Sequence, residues 1–121
     1  MSDQTDAPDS PDSGRLVAEC RRLVDRLSGT NPGWYRAQAG GQTRAQRLRE
    51  LVVLLAELGR EAGSGVPDGA VPHDVGSHAI ADQVAVLVED ILLAPGANHV
   101  VPAAAAAVGR CYDELWPPLR P

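Results

Sequence analysis

Residues 77–93 constrain the fold of this chain more than any other stretch. Apolar side chains recur there at Ile80, Val84, Leu87 and Ile91, a spacing that places them on one face of an α-helix. Smaller or similar apolar residues beside them widen that face to roughly 160°, at about 100° per residue. Because a surface helix usually has a narrower stripe, we interpret this helix as the central helix of the core.

Three further stretches have the same helical periodicity. The first helix is predicted over residues 15–28, with an N-cap at residue 12 or 13. The second follows Thr43, which forms a capping box with Gln46, and stops at Gly63. The last opens near Asn98, with a proline in its first turn. The predicted apolar stripes are Leu16, Cys20, Leu23 and Leu27; Leu48, Leu51, Val52, Leu55 and Leu58; and Val101, Ala104, Val108, Cys111 and Leu115.

These patterns predict an all-α fold, a compact four-helix bundle over residues 14–116. Residues 1–13 are predicted to be a disordered acidic tail, because they contain too few apolar residues to offset the entropy of ordering. Residues 117–121 are predicted to be an extended, proline-rich C-terminus. No apolar run approaches the ~18 residues of a membrane span and no signal peptide is visible, so we expect a cytoplasmic protein.

The basic residues of this chain are all arginine, and it contains no Lys and no Phe. Since Lys and Phe have AT-rich codons, this composition indicates a bacterium with a GC-rich genome. Residues 15–60 contain nine Arg and four acidic residues, whereas residues 61–121 contain two Arg and eight acidic residues. Such segregation favours self-association or an anionic partner, or it reflects attraction between the two halves within one bundle.

The two cysteines, Cys20 and Cys111, fit no metal-binding spacing. Each falls on the apolar stripe of its predicted helix. We therefore predict buried free thiols in a reducing compartment, and a disulfide between the first and last helices is the alternative.

Trp34 and Tyr35 lie in a glycine-rich connection over residues 29–42 and are half of the aromatic residues in the chain. Two large rings in such a connection either fold back over an end of the bundle or project as a contact surface. Because Trp and Tyr are enriched at binding hot spots, this connection is the first candidate for a partner site.

Arginines also crowd the predicted start of the second helix. A helix N-terminus favours negative charge, so basic side chains there are better explained if an anion binds. This pattern predicts a site for a nucleotide or another phosphate-containing ligand from Gly40 to Arg49. The candidate binding residues are Trp34, Tyr35, Arg36, Gly40, Gly41, Gln42, Thr43, Arg44 and Arg47.

A third hypothesis is a metal-dependent or histidine-using enzyme built around His73, His78 and Asp82, because His78 and Asp82 are one helical turn apart. His99 is predicted to lie at the far end of the central helix, on the order of 22 Å away at 1.5 Å per residue, so it should not join them. Two exposed histidines beside capping carboxylates are the simpler interpretation.

We therefore predict a small non-enzymatic interaction or regulatory protein, adaptor-like, that acts through protein–protein contacts with a partner or with a second copy of itself. An anionic small molecule is the alternative ligand, and an enzyme is the second alternative. We assign no cofactor, catalytic residue or metal ligand. Nucleic acid is not expected as a partner, because the pI is near 5.0 and no helix-turn-helix spacing is present. A membrane is not expected either.

Overall fold

The computed structural model describes residues 11–39, 41–63 and 79–117. Within these ranges the chain is almost entirely helical, which confirms the predicted all-α fold. In chain order the elements are α1 (Pro11–Leu27), α2 (Pro32–Arg36), β1 (Gln38–Ala39), β2 (Gln42–Thr43), α3 (Arg44–Ala62), α4 (Ile80–Leu93) and α5 (Ala97–Leu115).

The four long helices pack side by side in a ring. α1 contacts α5, α5 contacts α3, α3 contacts α4, and α4 contacts α1. Their apolar stripes meet in one core. This arrangement is the predicted four-helix bundle.

The helices run in two parallel pairs. The N–H of Gly96, just before α5, donates to the carbonyl of Ala62 at the end of α3 over 2.8 Å, so these two helices are antiparallel. The first turns of α3 and α4 line one cavity, to which Gln46 and Gln83 contribute, so this pair is parallel. α1 begins beside the start of α5 and runs parallel to it. The end of α3 at Ala62 and the start of α4 at Ile80 therefore lie at opposite ends of the bundle.

The capping box at the start of α3 is confirmed. The Thr43 hydroxyl accepts the Gln46 N–H over 3.1 Å, and the Gln46 side chain accepts the Thr43 N–H over 2.8 Å. At the other end, Gly63 adopts a left-handed conformation with φ of 86°, which ends the helix where the sequence predicted.

The cap predicted for α1 and the position predicted for the proline of α5 are wrong. α1 begins at Pro11, so residues 12 and 13 lie inside its first turn and are not its caps. Proline is well suited to the first helical position, because its missing N–H would be unpaired there anyway. α4 follows Ala79, which supplies no side-chain cap. Pro102 lies in the second turn of α5 and not in its first.

The apolar stripes predicted for the two parallel helices α1 and α5 are confirmed in full. In α3, Leu58 is half-buried and the other predicted residues are buried. The side chains that are at most 8 % exposed include Leu16, Cys20, Leu23, Leu27, Val101, Ala104, Val108, Cys111 and Leu115.

The central helix is α5, and the prediction that α4 is central was wrong. α5 has nine buried residues, whereas α4 has four. Leu87 and Leu92 of α4 are half-buried, and Ala85 is exposed. Gly109 of α5 allows α1 to approach closely, because a Cβ added at Gly109 would lie 3.4 Å from the carboxyl group of Glu19 on α1. Close approach by thin side chains, and not the width of an apolar stripe, determines which helix is central.

The connection after α1 contains more structure than its turn-rich sequence predicted. Asn31 caps α2, because its side chain accepts the N–H of Trp34 over 3.0 Å. β1 and β2 then form a short antiparallel hairpin in which Gln38 pairs with Thr43, and Gly41 adopts φ of 90° in the turn. These elements are too short to produce a periodic signal in the sequence.

Several predictions concern residues outside the described ranges. They are residues 1–10 of the predicted acidic tail, His73 and His78, and the end of the C-terminus after Pro117. These remain predictions. Residues 11–13, which were predicted as part of the disordered tail, belong instead to α1.

Candidate interaction surface

All four aromatic side chains of the protein meet at one end of the bundle. The sequence has two Trp, two Tyr and no Phe. Two of them lie on α2, one lies in the last turn of α5, and one ends α5. Three arginine side chains lie against the rings. We call this group the aromatic–arginine cluster; it consists of Trp34, Tyr35, Tyr112, Trp116, Arg22, Arg26 and Arg44.

The rings form a continuous array. Trp34 stacks on Trp116 with centroids 5.0 Å apart and planes inclined by 17°. Tyr35 meets Trp34 edge to face, and Tyr112 lies tilted against Trp116, each with centroids 5.0 Å apart. Tyr35 is buried at 7 % exposure, while the other three rings are half-buried. The array therefore packs against the core on one side and remains partly accessible on the other.

The guanidinium groups lie over the faces of these rings. The carbon Cζ of Arg22 is 3.8 Å from the ring centroid of Tyr112. Cζ of Arg26 is 5.0 Å from the Trp116 ring, and Cζ of Arg44 is 4.8 Å from the Trp34 ring. All three distances are within the range of cation–π attraction.

Hydrogen bonds hold the same arginines. Arg26 donates to the Tyr112 hydroxyl over 3.0 Å, and Arg44 donates to the carbonyl of Trp34 over 3.3 Å. Arg22 instead pairs with Glu19 over 2.7 Å. Within the described part of the chain, Arg26 and Arg44 make no ion pair. Two of the three cations in the cluster thus keep an uncompensated charge there.

The sequence spacing explains how the cluster assembles. Arg22 and Arg26 are four residues apart on α1, and Tyr112 and Trp116 are four residues apart along α5. Residues at this spacing share one face of a helix, and these two helices are adjacent and parallel. The other two rings, Trp34 and Tyr35, belong to α2, which Asn31 caps.

The Trp34–Tyr35 connection folds back over the end of the bundle, the first of the two alternatives predicted from the sequence. Tyr35 is part of the core, and Trp34 packs against it. A portion of the Trp34 surface nevertheless remains accessible. The two alternatives are thus combined, because one ring anchors the segment and the other is presented at the surface.

Two of the amide groups that the anion hypothesis requires at the start of α3 already donate hydrogen bonds within the protein. The N–H of Arg44 donates to the carbonyl of Ala37 over 2.9 Å. The N–H of Gln46 is taken by the hydroxyl of Thr43. The hairpin and the capping box therefore occupy two of the free N–H groups that a bound phosphate would use.

Arg47 is committed to an ion pair within the bundle. Its side chain is 15 % exposed and donates to Glu114 of α5, while Glu50 lies 3.9 Å away. Burial disfavours the charge of Arg47, but the hydrogen bond to Glu114 and the nearby acidic groups outweigh this effect and raise the pKa of the guanidinium. Arg47 thus joins α3 to α5.

The remaining predicted site residues are distributed around the hairpin. Arg36 and Gly41 are exposed. Gln42 donates to Glu50 over 3.4 Å. Gly40 lies outside the described residues. The structure therefore brings Trp34, Tyr35 and Arg44 together in the cluster, and places Gln42, Thr43 and Arg47 in contacts with other parts of the chain.

Cys20 and Cys111 are buried free thiols, as predicted. Burial raises the pKa of the Cys20 thiol, an effect that Arg21 partly offsets. Burial also raises the pKa of Cys111, to about 11, although the charge of Arg47 opposes this shift. Both thiols are therefore protonated at neutral pH and poor nucleophiles.

The metal hypothesis gains no support from the described residues. His73 and His78 lie outside them, and Asp82 is exposed on α4. His99 lies at the opposite end of this helix, whose 14 residues span about 21 Å at 1.5 Å per residue. Within the described ranges, no three His, Cys, Asp or Glu side chains are grouped as a metal site requires.

Four cluster residues were not predicted as site residues. They are Arg22, Arg26, Tyr112 and Trp116. The available signal was that the other two aromatic residues share one helix face four residues apart. This spacing places Tyr112 and Trp116 on one face of α5, but it does not show which other helix that face contacts.

No protein-family model, curated protein or solved structure matches this chain. None of the described helices combines the length and apolar character needed to cross a membrane. Function is therefore inferred from the geometry of the aromatic–arginine cluster.

Proposed function

We propose that this chain is a non-enzymatic, adaptor-like interaction protein that binds an acidic segment of a partner protein through the aromatic–arginine cluster. The observation that carries the proposal is the convergence of all the aromatic residues with three guanidinium groups at one end of the bundle. Trp, Tyr and Arg are the residue types most enriched at binding hot spots.

The cluster is held in place before a partner binds. Stacking and hydrogen bonds already restrict Trp34, Trp116 and Arg26, so less side-chain entropy is lost on association. A guanidinium has five N–H donors, and the bond from Arg26 to Tyr112 uses one of them. The donors that remain are suited to the carboxylates of a partner.

The charge distribution supports a short acidic segment in preference to nucleic acid. The whole chain has a net charge of −5, which repels an extended polyanion at long range. A short segment interacts mainly with the nearby arginines, because screening limits interactions to about 10 Å at moderate ionic strength. The proposal retains the predicted setting in the cytoplasm of a GC-rich bacterium, where the free thiols of Cys20 and Cys111 would persist.

Intrinsic fluorescence tests the proposal directly, because both tryptophans of the chain belong to the cluster. The probe is a synthetic peptide of Glu and Leu residues without tryptophan, and a Lys and Leu peptide of equal length is its control. We expect a saturable change in Trp fluorescence with the acidic peptide that weakens as salt is added. No change up to about millimolar peptide, the limit of weak binding, would contradict the proposal.

Variants locate the binding surface. Arg26→Gln together with Arg44→Gln should weaken binding by about tenfold or more, because charged hydrogen bonds are lost. Arg15→Gln is the matched control, since Arg15 is an exposed arginine of α1 outside the cluster. Equal loss in the control would show only a nonspecific charge effect and contradict the proposal. A response to ATP that requires Arg47 would instead favour the anionic small-molecule alternative.

A further inference from the structure

A shallow groove between α1 and α4 lies on a different side of α1 from the aromatic–arginine cluster. It forms a depression of about 500 Å³ that continues into a second one of about 360 Å³ beside the turn between α4 and α5. The side chains that matter for its chemistry are Val17, Arg21 and Val24 on α1, and Ala85, Glu89 and Leu92 on α4.

The surface around this groove is unusually apolar. Four large apolar side chains are exposed in the described part of the chain, and three of them belong to these two helices. Val17 is 38 % exposed, Val86 is 54 % exposed and Leu93 is 77 % exposed. Removal of apolar surface from water is the dominant favourable term in protein association, so this face is suited to a contact.

The α1 wall and the α4 wall of the groove are complementary: opposite charges, and likewise apolar side chains, occur at similar positions along the bundle axis. Val17 on α1 and Leu92 on α4 line both depressions, so they lie close to each other across the groove. Arg21 follows Val17 by one turn and Glu89 precedes Leu92 by about one turn. Because α1 and α4 are antiparallel, Arg21 and Glu89 therefore occupy similar heights along the bundle. Within the described residues, neither Arg21 nor Glu89 makes an ion pair. Asp25 lines the same depression one turn after Arg21, at the height of Ala85 on α4. Asp25 therefore faces an apolar residue and not Glu89.

We infer that a second copy of this chain docks on the α1–α4 groove around a two-fold axis that runs parallel to the helices. This axis places α1 of each copy on α4 of the other and keeps every residue at its own height. Arg21 of one copy then faces Glu89 of the other, and Val17 faces Leu92 and Leu93. Each contact forms twice. An arbitrary partner would need this pattern by coincidence, whereas a second copy carries it by symmetry.

This inference does not rest on the proposed function. Arg22 and Arg26 lie on the side of α1 that faces α5, whereas Val17 and Arg21 lie on the side that faces α4. A dimer of this form leaves the aromatic–arginine cluster of each copy uncovered. It would present two partner sites in one assembly, so loss of peptide binding and loss of dimerisation are separate outcomes.

Sedimentation velocity of the full chain from about 1 to about 100 µM, the range in which weak dimers dissociate, measures this association. We expect a monomer–dimer equilibrium that Leu93→Asp weakens by about tenfold or more, because a charge replaces an apolar contact at both symmetric positions. Leu54→Asp is the matched control: Leu54 is 38 % exposed and lines a cavity between α3 and α5. Circular dichroism checks that each variant is folded.

Charge exchange tests the register of the dimer. Arg21→Glu alone and Glu89→Arg alone should each weaken the dimer, because like charges then face each other at both positions. The double variant should restore it. A chain that stays monomeric over the whole range would overturn the inference. A dimer that is unaffected by Leu93→Asp, or that Leu54→Asp or Arg26→Gln disrupts equally, would overturn its location.

Discussion

Trp34 and Trp116 stack with ring centroids 5.0 Å apart and planes inclined by 17°, although they come from opposite halves of the sequence. The contact joins the short helix α2 to the end of the central helix α5. It closes one end of the bundle and sets the spacing between two of the arginine sites. Loss of the stacking between Trp34 and Trp116 should therefore both destabilise the fold and change the shape of the candidate surface.

A double-mutant cycle measures the stacking. Trp34→Ala and Trp116→Ala should each lower the free energy of unfolding by about 2 kcal/mol, less than for a fully buried ring because both are half-buried. The double variant should lose about 1 kcal/mol less than the sum, which is the coupling typical of an aromatic pair. Urea denaturation followed by circular dichroism gives these values. Strict additivity would contradict a direct interaction between the rings.

Removal of Glu114 should lower the free energy of unfolding more than removal of Arg47, its partner in the ion pair. Glu114→Ala leaves the guanidinium of Arg47, which is 15 % exposed, with only Glu50 at 3.9 Å, so we expect a loss of about 2 kcal/mol. Arg47→Met leaves Glu114, which is 49 % exposed and can be hydrated, and should cost less. Glu50→Ala is the control and should cost no more than about 0.5 kcal/mol, since Glu50 is 61 % exposed. Urea denaturation compares the three variants, and a larger loss for Glu50→Ala would refute this account.

Cys111 predicts a decrease in stability at alkaline pH. Burial keeps the thiol protonated in the folded protein and raises its pKa to about 11, whereas the unfolded thiol titrates near its ordinary value of 9.0. The unfolded chain therefore releases a proton first, and the folded state loses stability as pH rises from 9 towards 11. The loss is on the order of 2 kcal/mol. The slope of unfolding free energy against pH should be shallower in Cys111→Ala, and an unchanged slope would exclude this origin.

Gly96 and Gly14 form a matched pair of glycine substitutions. A Cβ at Gly96 would lie 3.0 Å from the carbonyl oxygen of Ala62, which accepts the Gly96 N–H. Gly96→Ala should therefore lower the melting temperature, with a cost of roughly 1–3 kcal/mol from overpacking. A Cβ added at Gly14, inside α1, would meet no neighbouring atom within 4 Å. Gly14→Ala should raise stability by roughly 0.5–1 kcal/mol, and a loss in both variants would contradict this explanation.

The helices were predictable because their signals are local. The capping box of Thr43 and Gln46 involves residues three apart, and the left-handed Gly63 follows the end of the periodic stripe directly. The stripes of α1 and α5 depend only on the 3.6-residue repeat. In contrast, α2 is five residues long and the hairpin strands are two residues long, so neither completes enough of a repeat to be recognised.

The candidate surface was predictable only in part. Trp34 and Tyr35 were predicted as binding residues because large rings stand out in a glycine-rich connection, and Arg44 because arginines crowd the start of the second helix. Trp116 and Arg26 were not, since their role depends on α1 and α5 packing side by side in the same direction. The pairing of Arg47 with Glu114 depends on the antiparallel packing of α3 on α5.

The sequence by itself determined four amphipathic helices, the ends of α3, the burial of both cysteines and the presence of two aromatic pairs. Each of these follows from residues within a few turns of one another. Only the tertiary structure decided that α5 is the central helix, that both aromatic pairs meet in one array, and that Arg21 and Glu89 stand level across a groove. An apolar stripe specifies which face is buried but not its neighbour, because transfer of apolar surface from water is non-directional. Close packing of particular side chains makes that choice.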